Sequence, residues 1–366
     1  MTAFLPWQLD DARRLLADTD HLPHALLIHG LPGIGKREFA LAMAATLLCE
    51  DQQDGLACGK CQGCVWMAGG THPDFKQVRP EAVAAREGAA LADDEAATGA
   101  SEGSGAGAGV GTGAGTAKRK PSEELRIEQI RALESWYHQA THRGGWRVVV
   151  LYPAEALSVV SANALLKALE EPPANTLFLL ASDAPDRLLP TLVSRCQKFA
   201  LTLPGKDECV RWLTQNGVDK PQAWLAAAGG APLAALQLAQ SGQSACPDWA
   251  TELMTSLAQG KAVDLPGLAD NLAKGHASGW LATMQRLAVD LGFVSSGLPV
   301  RYFPGLEPAY TALVNASSER AARTDQLTRL TNLSGTMNQH ARLANHPLSA
   351  KLFAQQCLQT FCDALK

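Results

Sequence analysis

Residues 25 to 47 read ALLIH, then GLPGIGK, then REFALAMAATL. A five-residue apolar run, a loop with three glycines and a helical pattern commit this part of the chain to a strand, a tight loop and a helix. Such a unit is stable only when the strand lies in a sheet and the helix packs on its face. Gly30, Gly33 and Gly35 let backbone N–H groups converge on phosphate oxygens. The helix N-terminus adds partial positive charge, and Lys36 reaches toward the β and γ phosphates. The residue after the lysine should carry a hydroxyl for a metal ion, and here it is Arg37.

The same grammar recurs downstream. WRVVVLY and TLFLLAS are further apolar runs, separated by the helical pattern SVVSANALLKALEE. Strands alternating with helices predict βαβ units and a parallel sheet covered on both faces, ending near Leu203. Beyond Pro204 no strand pattern survives. Short helices are expected over 204–243, broken at Gly229-Gly230-Ala231-Pro232, and a longer helical domain over 244–366. Between Glu81 and Lys120 the text turns to alanine, glycine and serine. In residues 99–117 eight of nineteen are glycine, so the segment buries too little apolar area to offset its ordering entropy. A flexible surface insertion is expected over 81–120.

A working nucleotide site needs an Asp–Glu pair at the end of a neighbouring strand, for the metal and for water. After Val148-Val149-Val150-Leu151-Tyr152 come Pro153 and Ala154, and Glu155 is one step too far along a proline-turned backbone. With Arg37 in place of the hydroxyl, the chain lacks the groups that stabilise a hydrolytic transition state.

A second constellation is Cys49, Cys58, Cys61 and Cys64. Two Cys-x2-Cys steps, with Gly59 and Gly63 in the turns, suit four thiolates around one structural Zn²⁺, with free thiols or redox chemistry as the alternative. Four protein ligands leave no open position for catalysis. Cys196, Cys209, Cys246, Cys357 and Cys362 are expected to be packed thiols, and nine cysteines, an odd count with Cys58, Cys61 and Cys64 close together and the rest scattered, suit a reducing compartment better than a disulfide framework. A formal charge of -4 argues against a freestanding nucleic-acid binder. No apolar run reaches the ~18–20 residues of a membrane span, and no secretory leader pattern opens the sequence, so a cytoplasmic protein is expected.

In order, HALLIHGLPGIGK, the cysteine cluster, HPDF at 72–75, SANALLKALEEPP and Ser194-Arg195-Cys196 resemble the delta prime family of bacterial DNA polymerase III clamp-loader subunits. The resemblance is strong from Phe4 to about Leu203 and weaker in ANHPLSAKLFAQQCL near the end. It implies an AAA+ RecA-like domain (1–203) with an inserted zinc module (49–64), a small helical lid (204–243) and an all-α collar that assembles subunits (244–366). It implies a degenerate site at Gly30, Gly33, Gly35 and Lys36, where ATP binds weakly or not at all. The arginine that senses nucleotide in active relatives would fall near Leu233 and is missing. It also implies that Arg195 acts in trans on ATP held by a neighbouring subunit, in a ring with gamma or tau and delta. That ring would act with the sliding clamp and primed DNA, in a bacterial replisome and away from membranes. Other readings of the residues are an active phosphate-loop ATPase using Lys36 and a zinc-ribbon DNA-binding protein using Lys60. Glu50, Asp51 and Asp54 make the latter a poor phosphate-contacting surface.

Overall fold

The computed structural model describes residues 3–88, 121–137, 139–242, 244–318, 323–344 and 349–365. The chain divides into two compact units, Met1–Leu203 and Pro204–Lys366.

The first unit holds five strands: β1 (Ala25–His29), β2 (Phe75–Val78), β3 (Arg147–Leu151), β4 (Thr176–Ser182) and β5 (Gln197–Ala200). They form one sheet in the order β2-β3-β4-β1-β5, and every pairing is parallel. β3 and β4 are buried along their whole length and β1 in all but His29. That burial explains their uninterrupted apolar runs, since helices cover both faces of a parallel sheet.

The helices are α1 (Leu9–Leu16), α2 (Lys36–Leu47), α3 (Gln62–Gly69), α4 (Glu81–Arg86), α5 (Ile127–Tyr137), α6 (Val159–Glu170) and α7 (Pro190–Val193). The α6 helix starts where the Ser158 hydroxyl accepts the Ser161 N–H at 3.2 Å, an N-cap worth about 1 kcal/mol, and it stops before Pro172-Pro173. Leu165 and Leu169 of α6 join Leu27, Val149, Phe178 and Leu192 in one core. Each buried leucine there contributes roughly 1.5–3 kcal/mol.

The span assigned to the insertion begins differently from the expectation. Glu81–Arg86 is helix, and its Glu81 carboxylate pairs with Arg126 at 2.9 Å and accepts the Ser122 N–H at 3.0 Å. A carboxylate at the first turn of a short helix, matched to an arginine across the gap, ties together the two ends from which residues 89–120 depart. Those residues themselves lie outside the described part of the chain.

The second unit is helical among its described residues: α8 (Lys206–Gln215), α9 (Pro221–Ala227), α10 (Pro232–Gln240), α11 (Asp248–Ala258), α12 (Leu265–Leu272), α13 (Ala277–Ser295), α14 (Glu307–Ser318), α15 (Arg323–Leu343) and α16 (Ala350–Ala364). The first three helices share a small core of Cys209, Leu213, Val218, Leu225 and Ala235. A larger core gathers Met254, Leu281, Met284, Leu287, Tyr310, Met337 and Phe361. Within it Asp290 is fully buried and satisfied, accepting the N–H groups of Arg301 (2.9 Å), Tyr302 (3.0 Å) and Phe303 (2.8 Å), so the turn before α14 is clamped to α13. No helix among the described residues is long and apolar enough to cross a membrane.

Candidate phosphate loop, cysteine cluster and arginine

In-register parallel strands decide which loops meet. His29 of β1 lies beside Ser182 of β4, Leu151 of β3 beside Leu180 of β4, and Val78 of β2 beside Leu151 of β3. The loops after these strands therefore gather along the carboxyl edge of the sheet, where ligands of open α/β sheets bind. Gly30 to Lys36 sits there, with Gly35 at φ 95° leading into α2. Gly30 has φ 151°, and a Cβ on it would lie 2.8 Å from Ile34 Cδ1, so a side chain is excluded on both counts. The Trp7 indole N–H donates to the Ile34 carbonyl at 2.9 Å, and the Gln8 amide to the Gly35 carbonyl at 2.7 Å, fixing the loop from the N-terminal side.

The shape is that of a phosphate loop, but its charges are engaged internally. Lys36 is only 5% exposed. Its ammonium donates to the carbonyls of Gly30 (2.9 Å) and Leu31 (2.6 Å) and forms an ion pair with Asp183, the residue after β4. Glu155 braces that arrangement by accepting the Asp183 N–H at 3.1 Å. A carboxylate thus rests on the cation that a phosphate would otherwise meet.

Beside it, Arg37 lies 5.2 Å from the Tyr152 ring centroid, within cation–π range. Its Nε is 3.0 Å from Glu87, an ion pair by distance although the N–H is not aimed at the oxygen. Glu87 also receives the Tyr152 hydroxyl at 2.9 Å and pairs with Arg79 at 3.0 Å, and Gln77 donates to the same hydroxyl. Burial opposes the Arg37 charge, but Tyr152 and Glu87 outweigh it and raise its pKa. Burial also raises that of the Tyr152 hydroxyl, which stays neutral. These residues place a permanent cation and a phenol where a magnesium-binding hydroxyl and carboxylate would be required, and they do not fit Mg²⁺.

The four cysteines converge at the other end of α2. All four sulfurs lie within 4.8 Å of one another, with Cys49–Cys61 at 3.8 Å and Cys58–Cys64 at 4.0 Å. A tetrahedron with Zn–S bonds of ~2.3 Å has edges of about 3.8 Å. Backbone N–H groups of Cys58, Cys61 and Cys64 point at the sulfurs of Cys49, Cys58 and Cys61, at 3.3, 3.3 and 3.4 Å. Such donors favour thiolates. Burial pushes the Cys61 thiol up, but the N–H groups of Cys64 and Glu50 and the neighbouring thiols overcome it and bring it down to about 6. Burial takes Cys64 up to about 12. Gly63 is required for close approach, since a Cβ there would lie 2.4 Å from the Leu48 carbonyl oxygen at the end of α2. The group fits one metal ion. Of the other cysteines, Cys196, Cys209, Cys357 and Cys362 are buried and Cys246 is half-buried.

Arg195 lies elsewhere. Gln197 of β5 is in register with Leu26 of β1, so Arg195 is at the amino edge of the sheet, as is Glu170 ahead of β4. One strand length, on the order of 15 Å, separates that edge from the phosphate loop. Its side chain is 34% exposed. The guanidinium meets the Glu170 carboxylate at 2.5 Å and donates to the Thr191 carbonyl at 2.8 Å. The sequence pointed to Lys36, Arg37, the cysteines and Arg195. It did not point to Asp183, Glu87, Tyr152 or Glu170: Asp183 and Tyr152 directly follow strands, and Glu87 and Glu170 lie at the C-terminal ends of α4 and α6.

A five-stranded parallel sheet in this order, with a glycine loop between β1 and α2, and a helical unit following, defines an AAA+ type α/β protein. A family model described as DNA polymerase III, delta subunit, matches residues 12–204, more than half of the chain. The chain belongs to that family. It is 37% identical over 242 residues to the DNA polymerase III subunit delta' of Pseudomonas aeruginosa, covering 65% of this chain and 62% of that one. To subunit delta' of Escherichia coli K12 it is 34% identical over 240 residues, covering 64% and 60%. It is also 30% identical over 178 residues to subunit tau of Salmonella typhimurium, covering 49% of this chain and 21% of that one. The matched segment thus spans about three fifths of the length of the delta' relatives.

Proposed function

We propose that the chain is a non-hydrolysing delta prime subunit of a bacterial clamp loader. It joins gamma or tau to delta, and it lends Arg195 to ATP bound by its neighbour while the ring places a sliding clamp on primed DNA. The observation that carries this reading is the contrast between two cations. Lys36 is buried on Asp183 and two carbonyls, and the adjacent Arg37 is packed on Tyr152 and paired with Glu87. Arg195 is accessible at the opposite edge of the same sheet, too far away to serve its own chain's loop.

A guanidinium brought to a γ-phosphate across an interface supplies the charge that a phosphoryl transition state requires, and its planar fork suits two oxygens at once. The chain's own residues in this step hold Arg195 on Glu170 and the Thr191 carbonyl and keep the Lys36 cation paired with Asp183. In the second constellation, Cys49, Cys58, Cys61 and Cys64 would hold Zn²⁺ as a structural cross-link between the end of α2 and α3. The test is reconstitution with gamma or tau and delta. Arg195→Ala is expected to assemble normally and to lower DNA-stimulated ATP turnover about tenfold or more. The isolated chain is expected to show no turnover that Lys36→Ala abolishes. Unchanged turnover with Arg195→Ala contradicts the reading.

A further inference from the structure

We infer that Glu170 is a positioning residue for Arg195, presetting the guanidinium before a neighbour's phosphate arrives; this rests on the reading of Arg195 given above. An arginine side chain is long and rich in rotamers, and left alone at a surface it sweeps a wide volume. Here it is held at two points. One terminal nitrogen meets Glu170 at 2.5 Å and the other donates to the Thr191 carbonyl at 2.8 Å. The Thr191 contact alone tethers the side chain to its own turn, where Arg195 N also donates to the Leu192 carbonyl at 3.1 Å. Glu170 comes from a different element, the last residue of α6, and so fixes direction relative to the body of the fold.

The two anchors are themselves immobilised by the core. Leu169, the neighbour of Glu170, and Leu192 and Cys196, which flank the Arg195 turn, belong to one buried cluster and are 2%, 0% and 7% exposed. Burial pushes the Cys196 thiol up to about 11, so it stays neutral and acts as packing. The backbone positions from which the carboxylate and the guanidinium extend are therefore fixed by packed side chains. Among the described residues, the guanidinium contacts Thr191 and Glu170, and its other N–H donors remain for a phosphate. The nearby base Lys167 does not compete for Glu170, since it pairs with Glu134 at 2.9 Å.

An exposed ion pair of this kind contributes little to stability, so its value would lie in geometry. Phosphoryl transfer is sensitive to that geometry, because a misplacement of about 1 Å can cost on the order of 100-fold at a reacting site. The experiment uses the full chain in the reconstituted loader and measures kcat and KM for DNA-stimulated ATP hydrolysis. Glu170→Ala is expected to lower kcat about three- to tenfold with KM for ATP within about twofold of wild type. Glu170→Gln keeps an oxygen acceptor for Arg195 and is expected to retain at least about half of kcat. Glu170→Ala combined with Arg195→Ala should be no slower than Arg195→Ala alone. Should Glu170→Ala fail to assemble, Glu170→Lys on the same exposed position is read instead, with the same loss of kcat expected. A normal or raised kcat for the Glu170 variants, with Arg195→Ala slowed, overturns the positioning role and leaves the function standing. A normal kcat for Arg195→Ala overturns the function first, and this inference with it.

Discussion

The carboxyl and amino edges of one sheet carry the two cations on which the proposed function turns, and the edges treat them in opposite ways. At the carboxyl edge Lys36 is 5% exposed and tied to Asp183, and Arg37 is packed on Tyr152 and Glu87. At the amino edge Arg195 is 34% exposed and held by contacts to Glu170 and the Thr191 carbonyl. No hydroxyl follows the loop's lysine, and the cations there are paired within the chain. Strand register places Asp183 next to the glycine loop and Arg79 next to Tyr152, and the chain's own carboxylates take over the charges. The loop keeps its shape because shape costs little once its cation is satisfied, whereas a buried lysine with neither carboxylate nor carbonyl acceptors would cost several kcal/mol.

That contrast can be tested by removing its supports, beginning with the largest. Stripping the metal with a chelator, or changing Cys58 and Cys61 together to serine, is expected to lose one bound zinc per chain and cost roughly 3–5 kcal/mol of stability. A parallel metal analysis and thermal melt would check it, and an unaltered melt would show that the cluster is not a structural cross-link. Gly63→Ala probes the same junction without touching a ligand. Its Cβ would meet the Leu48 carbonyl oxygen at 2.4 Å, so a loss of about 2–3 kcal/mol is expected in urea unfolding.

Lys36→Met removes the buried cation at nearly constant volume. It leaves Asp183, which is 46% exposed, to water, so a modest loss of about 1–2 kcal/mol is expected. The smallest effect on stability belongs to Asp183→Asn, about 1 kcal/mol after allowing for solvent screening. Its informative readout is affinity, because freeing Lys36 should strengthen binding of a fluorescent ATP analogue by about tenfold. If Asp183→Asn leaves binding unchanged, the carboxylate is not what keeps the loop closed.

The central strands were legible in the sequence because β1, β3 and β4 are buried on both faces and read as unbroken apolar runs. The edge strands Phe75–Val78 and Gln197–Ala200 were not. Their polar, partly exposed residues, such as Lys76 and Gln197, break the pattern that a buried strand imposes. The cysteine cluster and the loop were legible because their residues are close in sequence. The partners Asp183, Glu87 and Glu170 were invisible for the opposite reason, since each meets its arginine or lysine only through sheet register or helix packing across 25 or more residues of sequence.

The most direct measurement places both edges in one assay: ATP turnover by the loader reconstituted with gamma or tau and delta, carrying either Lys36→Ala or Arg195→Ala in this chain. The account predicts near-normal turnover with Lys36→Ala and a loss of about tenfold or more with Arg195→Ala. The reverse pattern, turnover lost with Lys36→Ala and kept with Arg195→Ala, would contradict it.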